Sequence, residues 1–116
     1  MANRFYETVN AFSDMVKAIE DLEIVQKETV SKLKAKLRLF DGSILWVREV
    51  YSYDLMEVYS YYWLRPDETM IIGWDNAPHH RDVKTYPHHR HFANKVENSD
   101  QRSLEDVLNF IKSFFE

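Results

Sequence analysis

A chain of 116 residues with 45% hydrophobic and 29% charged residues has the size and balance of one folded domain, neither disordered nor membrane-embedded. It contains no cysteine, which excludes disulfides, a thiol nucleophile and cysteine-held zinc or iron–sulfur centres. Two glycines, Gly42 and Gly73, are too few for a P-loop or a dinucleotide fingerprint, and a formal net charge of -4 argues against a surface that binds nucleic acid all over while leaving room for a local basic site. The longest apolar runs, such as Ile44–Val47 and Met70–Ile72, fall far short of the roughly 20 residues of a membrane span. The first residues lack the basic start and apolar run of a secretory signal. The expectation is a single cytoplasmic domain over residues 1–116.

Phe5, Val9, Phe12, Val16 and Ile19 recur at alternating steps of four and three, one stripe of a helix, so an amphipathic helix is predicted over residues 3–20. Between Ile24 and Phe40 the period changes. Leu33, Ala35, Leu37 and Leu39 alternate with Lys32, Lys34, Lys36 and Arg38, the pattern of a strand with one wet face. That lysine-rich face reads as a solvated sheet surface, with a nucleic-acid stripe as the alternative. Asp41-Gly42 signals a type I′ hairpin turn, in which both central residues take positive φ. β-Branched and aromatic runs at Ser43–Tyr53, Glu57–Leu64 and Thr69–Asp75 continue the sheet. Tyr59, Tyr61 and Trp63 share one strand face, a stripe that suits a core as readily as base stacking.

Near the C-terminus, Ser103-Leu104-Glu105-Asp106 has a capping-box pattern with Asp106 in the place usual for Glu. Leu104, Val107, Leu108, Ile111, Phe114 and Phe115 then follow helical spacing. The predicted class is α+β: an N-terminal helix, an antiparallel meander of four to five strands, a His-rich loop and a C-terminal helix.

All five histidines lie between residues 79 and 91, in Pro78-His79-His80 and Pro87-His88-His89-Arg90-His91. Each proline fixes its own φ and biases Ala77 or Tyr86 toward extended geometry, so both histidine pairs leave the backbone on stiff arms. In an extended stretch His89 and His91 share a face while His88 points away, so only some of the five converge. Two chemistries remain open. Convergent neutral imidazoles hold a transition metal such as zinc, with Asp75 or Glu49 completing the set. Alternatively, with no cofactor, one imidazole acts as base and another as acid.

The candidate catalytic residues are therefore His79, His80, His88, His89, His91 and Asp75. From Ala77 to Lys95, Arg81, Lys84, Arg90 and Lys95 stand against Asp82 alone, and the first three are the candidate substrate-binding groups, suited to phosphate. A polar loop whose histidines cap strand ends is the plainer alternative. Asn76 is expected to set a turn and Asp75 to orient an imidazole. Glu49 contributes only if it faces the loop side, and is otherwise a solvated strand position.

The runs Trp74-Asp75-Asn76-Ala77-Pro78-His79-His80 and Tyr86-Pro87-His88-His89-Arg90-His91 resemble the signature of the TumE-type toxin family. The leading helix, Asp-Gly hairpin, Tyr-x-Tyr-x-Trp strand and closing helix agree in layout over nearly the whole chain. Gly73 departs from the family pattern, where a basic or bulky residue is expected. The resemblance implies the toxin of a type II toxin–antitoxin pair, neutralised by an adjacent antitoxin that often carries a helix-turn-helix. Many type II toxins cleave or modify RNA, and on that footing the loop reads as a metal-independent ribonuclease site. His89 or His91 would deprotonate a ribose 2′-OH, the other would protonate the leaving oxygen, and Arg90 or Lys84 would stabilise the phosphorane. The alternative is a non-catalytic module that binds a metal or a protein through the same loop. Phe110, Phe114 and Phe115 either close the monomer core or form a surface for a homodimer or the antitoxin.

Overall fold

The alternation of Leu33, Ala35, Leu37 and Leu39 with basic residues becomes a strand whose apolar side is wholly buried. In the computed structural model, which describes residues 2–115, that strand is β2 (Val30–Leu39), second in a seven-stranded sheet. Its neighbours are β1 (Val16–Lys27), β3 (Ile44–Ser52), β4 (Leu55–Leu64), β5 (Met70–Asp75), β6 (His89–Phe92) and β7 (Lys95–Asn98). The strands pair in chain order and every pair is antiparallel, an uninterrupted meander. Helix α1 (Ala2–Ala11) precedes the sheet and α2 (Leu104–Lys112) follows it.

Both helices cover the same side. Phe5, Val9 and Phe12 near the N-terminus and Leu104, Val107, Leu108 and Ile111 of α2 share one core with Leu33, Leu37, Val47, Tyr61, Trp63 and Trp74 of the sheet. Full burial of such side chains contributes about 1.5–3 kcal/mol each, which fixes which face of every strand turns inward. Among the described residues no helix covers the other face, and the least extent of the molecule is 22 Å, as a single sheet with one helical layer requires. The capping box of α2 is complete: Ser103 Oγ accepts from the Asp106 N–H at 3.1 Å, and Asp106 Oδ2 accepts from the Ser103 N–H at 2.9 Å.

Three expectations are corrected. The first helix ends at Ala11, and Val16 and Ile19 belong to β1. Register shifts between Val16 and Ala18 and between Glu20 and Glu23, with Asp21 at φ 50°, break the period-two pattern that would have revealed this edge strand. The sheet has seven strands instead of four or five, because β1 and the β6–β7 hairpin add to the predicted set. That last hairpin turns at Ala93-Asn94, both at positive φ, without the glycine that marks most such turns. Asp41-Gly42 does form a hairpin, but only Gly42 has positive φ, at 88°. Gly42 N–H bonds the Leu39 carbonyl at 3.0 Å and Leu39 N–H bonds that of Ser43 at 2.9 Å, a three-residue loop closed by a left-handed glycine.

Candidate functional site: a histidine–aspartate cluster on the open sheet face

Antiparallel register decides which histidines meet. His89 lies directly opposite Asp75, and His91 opposite Gly73, so both imidazoles and the carboxylate share a face. His89 Nε2 stands 2.9 Å from Asp75 Oδ1, His91 Nε2 stands 3.1 Å from Asp75 Oδ2, and the two Nε2 atoms are 3.1 Å apart. His80 reaches the same point from the loop after β5, its ring centroid 4.8 Å from that of His89 and 5.6 Å from that of His91. One nitrogen from each of the three histidines falls within 4.8 Å of the others.

Outer contacts hold the cluster. The Tyr62 hydroxyl donates to Asp75 Oδ2 at 2.8 Å, and the Ala77 N–H donates to Oδ1 at 2.9 Å. Burial first, and then the bond to Asp75, raise the Tyr62 hydroxyl above its ordinary range, which keeps it a donor at neutral pH. His89 Nδ1 meets the Pro87 carbonyl at 2.9 Å, and because a carbonyl only accepts, that nitrogen carries the hydrogen. His89 is 1% exposed and Asp75 4%, whereas the His91 side chain is 30% exposed. His91 and the half-buried His80 are thus the cluster's solvent side.

The remaining candidates stand elsewhere. His88 turns to the helix side and hydrogen-bonds the Tyr59 hydroxyl through Nδ1 at 3.0 Å. His79 is exposed and lies outside the converging group. Arg90 alternates to the opposite face and pairs with Glu97 at 2.9 Å. Arg81 is exposed and lies over the Tyr86 ring, and Lys84 is exposed with its N–H bonded to Asn98 Oδ1. Asn76 has a structural role, bridging to β4 by accepting from the Tyr59 N–H and donating to the Glu57 carbonyl. Glu49 neither faces the loop side nor is solvated. It is 7% exposed on the helix side, where the hydroxyls of Tyr61 and Tyr51 donate to it at 2.5 and 3.3 Å. A hollow of about 750 Å³ also lies there, between Arg4, Glu49 and Gln101, away from the cluster.

The open face extends beyond the histidines. One cross-strand row runs Lys34, Arg48, Ser60, Asp75, His89, and the next runs Lys36, Trp46, Tyr62, Gly73, His91. The lysine stripe of β2 and the histidine cluster therefore occupy one surface, with Trp46 and Tyr62 between them. Lys34 and Arg48 are exposed; Lys36 Nζ sits 5.6 Å from the Trp46 ring centroid and pairs with Glu68 Oε1 at 3.8 Å. The pairing of these rows depends on four separate hairpins, so no local spacing displays it. Tyr62 was invisible as a site residue for the same reason.

A seven-stranded meander with two helices on one face and a His–Asp cluster on the other defines an α+β protein. The model of the family described as Toxin TumE matches residues 8–115. The chain belongs to the TumE toxin family, and membership implies a toxin component with an antitoxin partner. No curated protein and no solved structure matches it significantly. No helix among the described residues is long and apolar enough to cross a membrane.

Proposed function

We propose that this chain is the toxin of a toxin–antitoxin pair and that it acts on RNA at the His80, His89, His91 and Asp75 cluster. The observation that carries the reading is the shared face: the basic residues Lys34, Lys36 and Arg48 and the aromatic rings of Trp46 and Tyr62 lead directly to the imidazoles. Phosphates are neutralised by such cations, and unpaired bases stack on such rings, so a single-stranded RNA laid across β2–β4 brings its backbone to His91. On a protein of net charge -4, the exposed Lys34 and Arg48 give this face a local attraction for polyanions.

Differences in exposure support a division of roles in this reading. Buried His89 and Asp75 position the cluster, while His91 and His80 touch the substrate. This differs from a simple His89 and His91 acid–base pair, because a side chain 1% exposed does not reach a ribose hydroxyl. Arg90, paired on the far face, is not a phosphate ligand in this reading; Lys34 and Arg48 take that part. A cytoplasmic location follows from an RNA target. The antitoxin, of helix-turn-helix type as the family resemblance implies, docks in this reading on the exposed rings of Phe114 and Phe115, which are 62% and 40% accessible.

Expression of the chain alone in its native or a closely related host tests the function. Growth arrest that His91→Ala and His80→Ala each relieve, with protein levels unchanged, is expected. A harmless wild-type chain, or arrest untouched by both substitutions, contradicts it and leaves a non-catalytic binding module as the better description.

A further inference from the structure

The contacts inside the cluster cannot all be hydrogen bonds. His89 Nδ1 is committed as a donor to the Pro87 carbonyl, so a neutral His89 presents a bare Nε2 lone pair to Asp75 Oδ1 at 2.9 Å. Protonating Nε2 repairs that contact and leaves another unresolved. If His91 Nε2 is bare it opposes the Asp75 Oδ2 lone pair at 3.1 Å; if it carries hydrogen, it opposes the His89 N–H at 3.1 Å. With Asp75 as a carboxylate, no placement of protons makes the three contacts attractive together. A single cation among them does.

We propose that His80, His89, His91 and Asp75 form a binding site for one divalent transition-metal ion of the zinc class. The three imidazole nitrogens converge within 4.8 Å of one another, imidazole and carboxylate are donors that such borderline ions take, and no thiolate is present to favour a softer one. Donor atoms around tetrahedral zinc stand about 3.3 Å apart, given metal–nitrogen distances near 2.05 Å. The His89 and His91 Nε2 atoms already stand 3.1 Å apart, and each meets its own oxygen of Asp75, Oδ1 at 2.9 Å and Oδ2 at 3.1 Å. Outer partners also match what metal ligands need. The Pro87 carbonyl fixes the His89 tautomer with Nε2 free to coordinate, and Tyr62 and the Ala77 N–H hold the carboxylate.

Metal binding itself needs no assumption about RNA. Only its use as a Lewis acid or a source of bound hydroxide for phosphodiester attack rests on the function proposed above; there the ion, and not an imidazole, provides the base.

The test uses the full chain purified without an affinity tag. Elemental analysis is expected to find about one equivalent of metal, and after chelation and dialysis, cobalt(II) is expected to restore a visible absorption band and zinc to raise the melting temperature. His91→Ala and His80→Ala, at partly exposed positions, keep the fold and bind under about a tenth of an equivalent, whereas His79→Ala binds as wild type. Wild-type protein with no metal, no cobalt band and no thermal shift overturns the site, as does an unchanged metal content in His91→Ala. The two readings fail separately. Metal bound with RNA untouched removes the RNA function alone, while RNA cleaved at full rate by metal-free protein removes only the ion's part in the reaction, and the binding site stands or falls on the metal content.

Discussion

The Tyr62 ring lies against the bare Cα of Gly73, its cross-strand partner, and reaches past it to Asp75. A Cβ at position 73 would collide with ring atoms Cδ1 and Cε1, the latter at 2.7 Å. Glycine is therefore required here for close approach. Gly73→Ala is expected to force Tyr62 off the strand, costing about 1–3 kcal/mol by overpacking. Tyr62→Phe, which removes only the hydroxyl, is expected to cost about 1 kcal/mol. Urea denaturation of both variants checks this, and Gly73→Ala no more damaging than Tyr62→Phe would contradict it.

The open face carries a second expectation. Lys34→Ala and Arg48→Ala remove exposed cations, so folding stability is expected to stay within about 0.5 kcal/mol of wild type. Affinity for single-stranded RNA is expected to fall, and the slope of log K against log salt to flatten by about 0.7 per cation removed. Trp46→Ala is expected to lose about 1–3 kcal/mol of binding through stacking, with little change in salt slope. Fluorescence anisotropy at several salt concentrations separates the two effects; unchanged affinity in all three variants would show that RNA does not use this face.

Glu49 gives a pH signature on the other side of the sheet. Burial raises its carboxyl above 4.5, an effect that the hydrogen bonds from Tyr61 and Tyr51 reduce without cancelling. The folded state then holds a proton that the unfolded chain has released. Its contribution to stability is fully present below pH 4.5 and is lost as pH rises through the elevated folded value. Glu49→Gln keeps an acceptor for the tyrosines and cannot ionise, so the stability of wild type relative to this variant is expected to fall as pH rises. Thermal melts of both from acidic to neutral pH measure it, and parallel curves would contradict the buried, proton-retaining carboxyl.

Much of the fold was legible because its signals are local. Leu33 to Leu39 alternate, Ser103 and Asp106 stand at capping-box spacing, and each forms the element its pattern predicts. β1 was hidden by its own bulges, and His89–Phe92 by polar side chains that read as loop although they form a strand. At the site, sequence narrowed the candidates to five histidines and Asp75, and alternation separated His88 from His89 and His91. The choice of His80 over His79 depends on the path of the loop after β5, and the burial of His89 and the arrival of Tyr62, Trp46 and Lys34 on the same face depend on cross-strand register. Register is a property of paired strands, and no window of sequence contains it.

In the proposed function the His80, His89, His91 and Asp75 cluster acts on RNA. The most direct measurement incubates the purified full chain with RNA extracted from its own host, free of antitoxin and with its bound metal retained, and follows strand lengths over time. Wild type is expected to shorten or modify specific RNAs, and His91→Ala and His80→Ala to do so at least about 100-fold more slowly. His79→Ala, outside the cluster, is expected to match wild type. RNA left intact by wild type, or processed equally by His91→Ala, would contradict the claim.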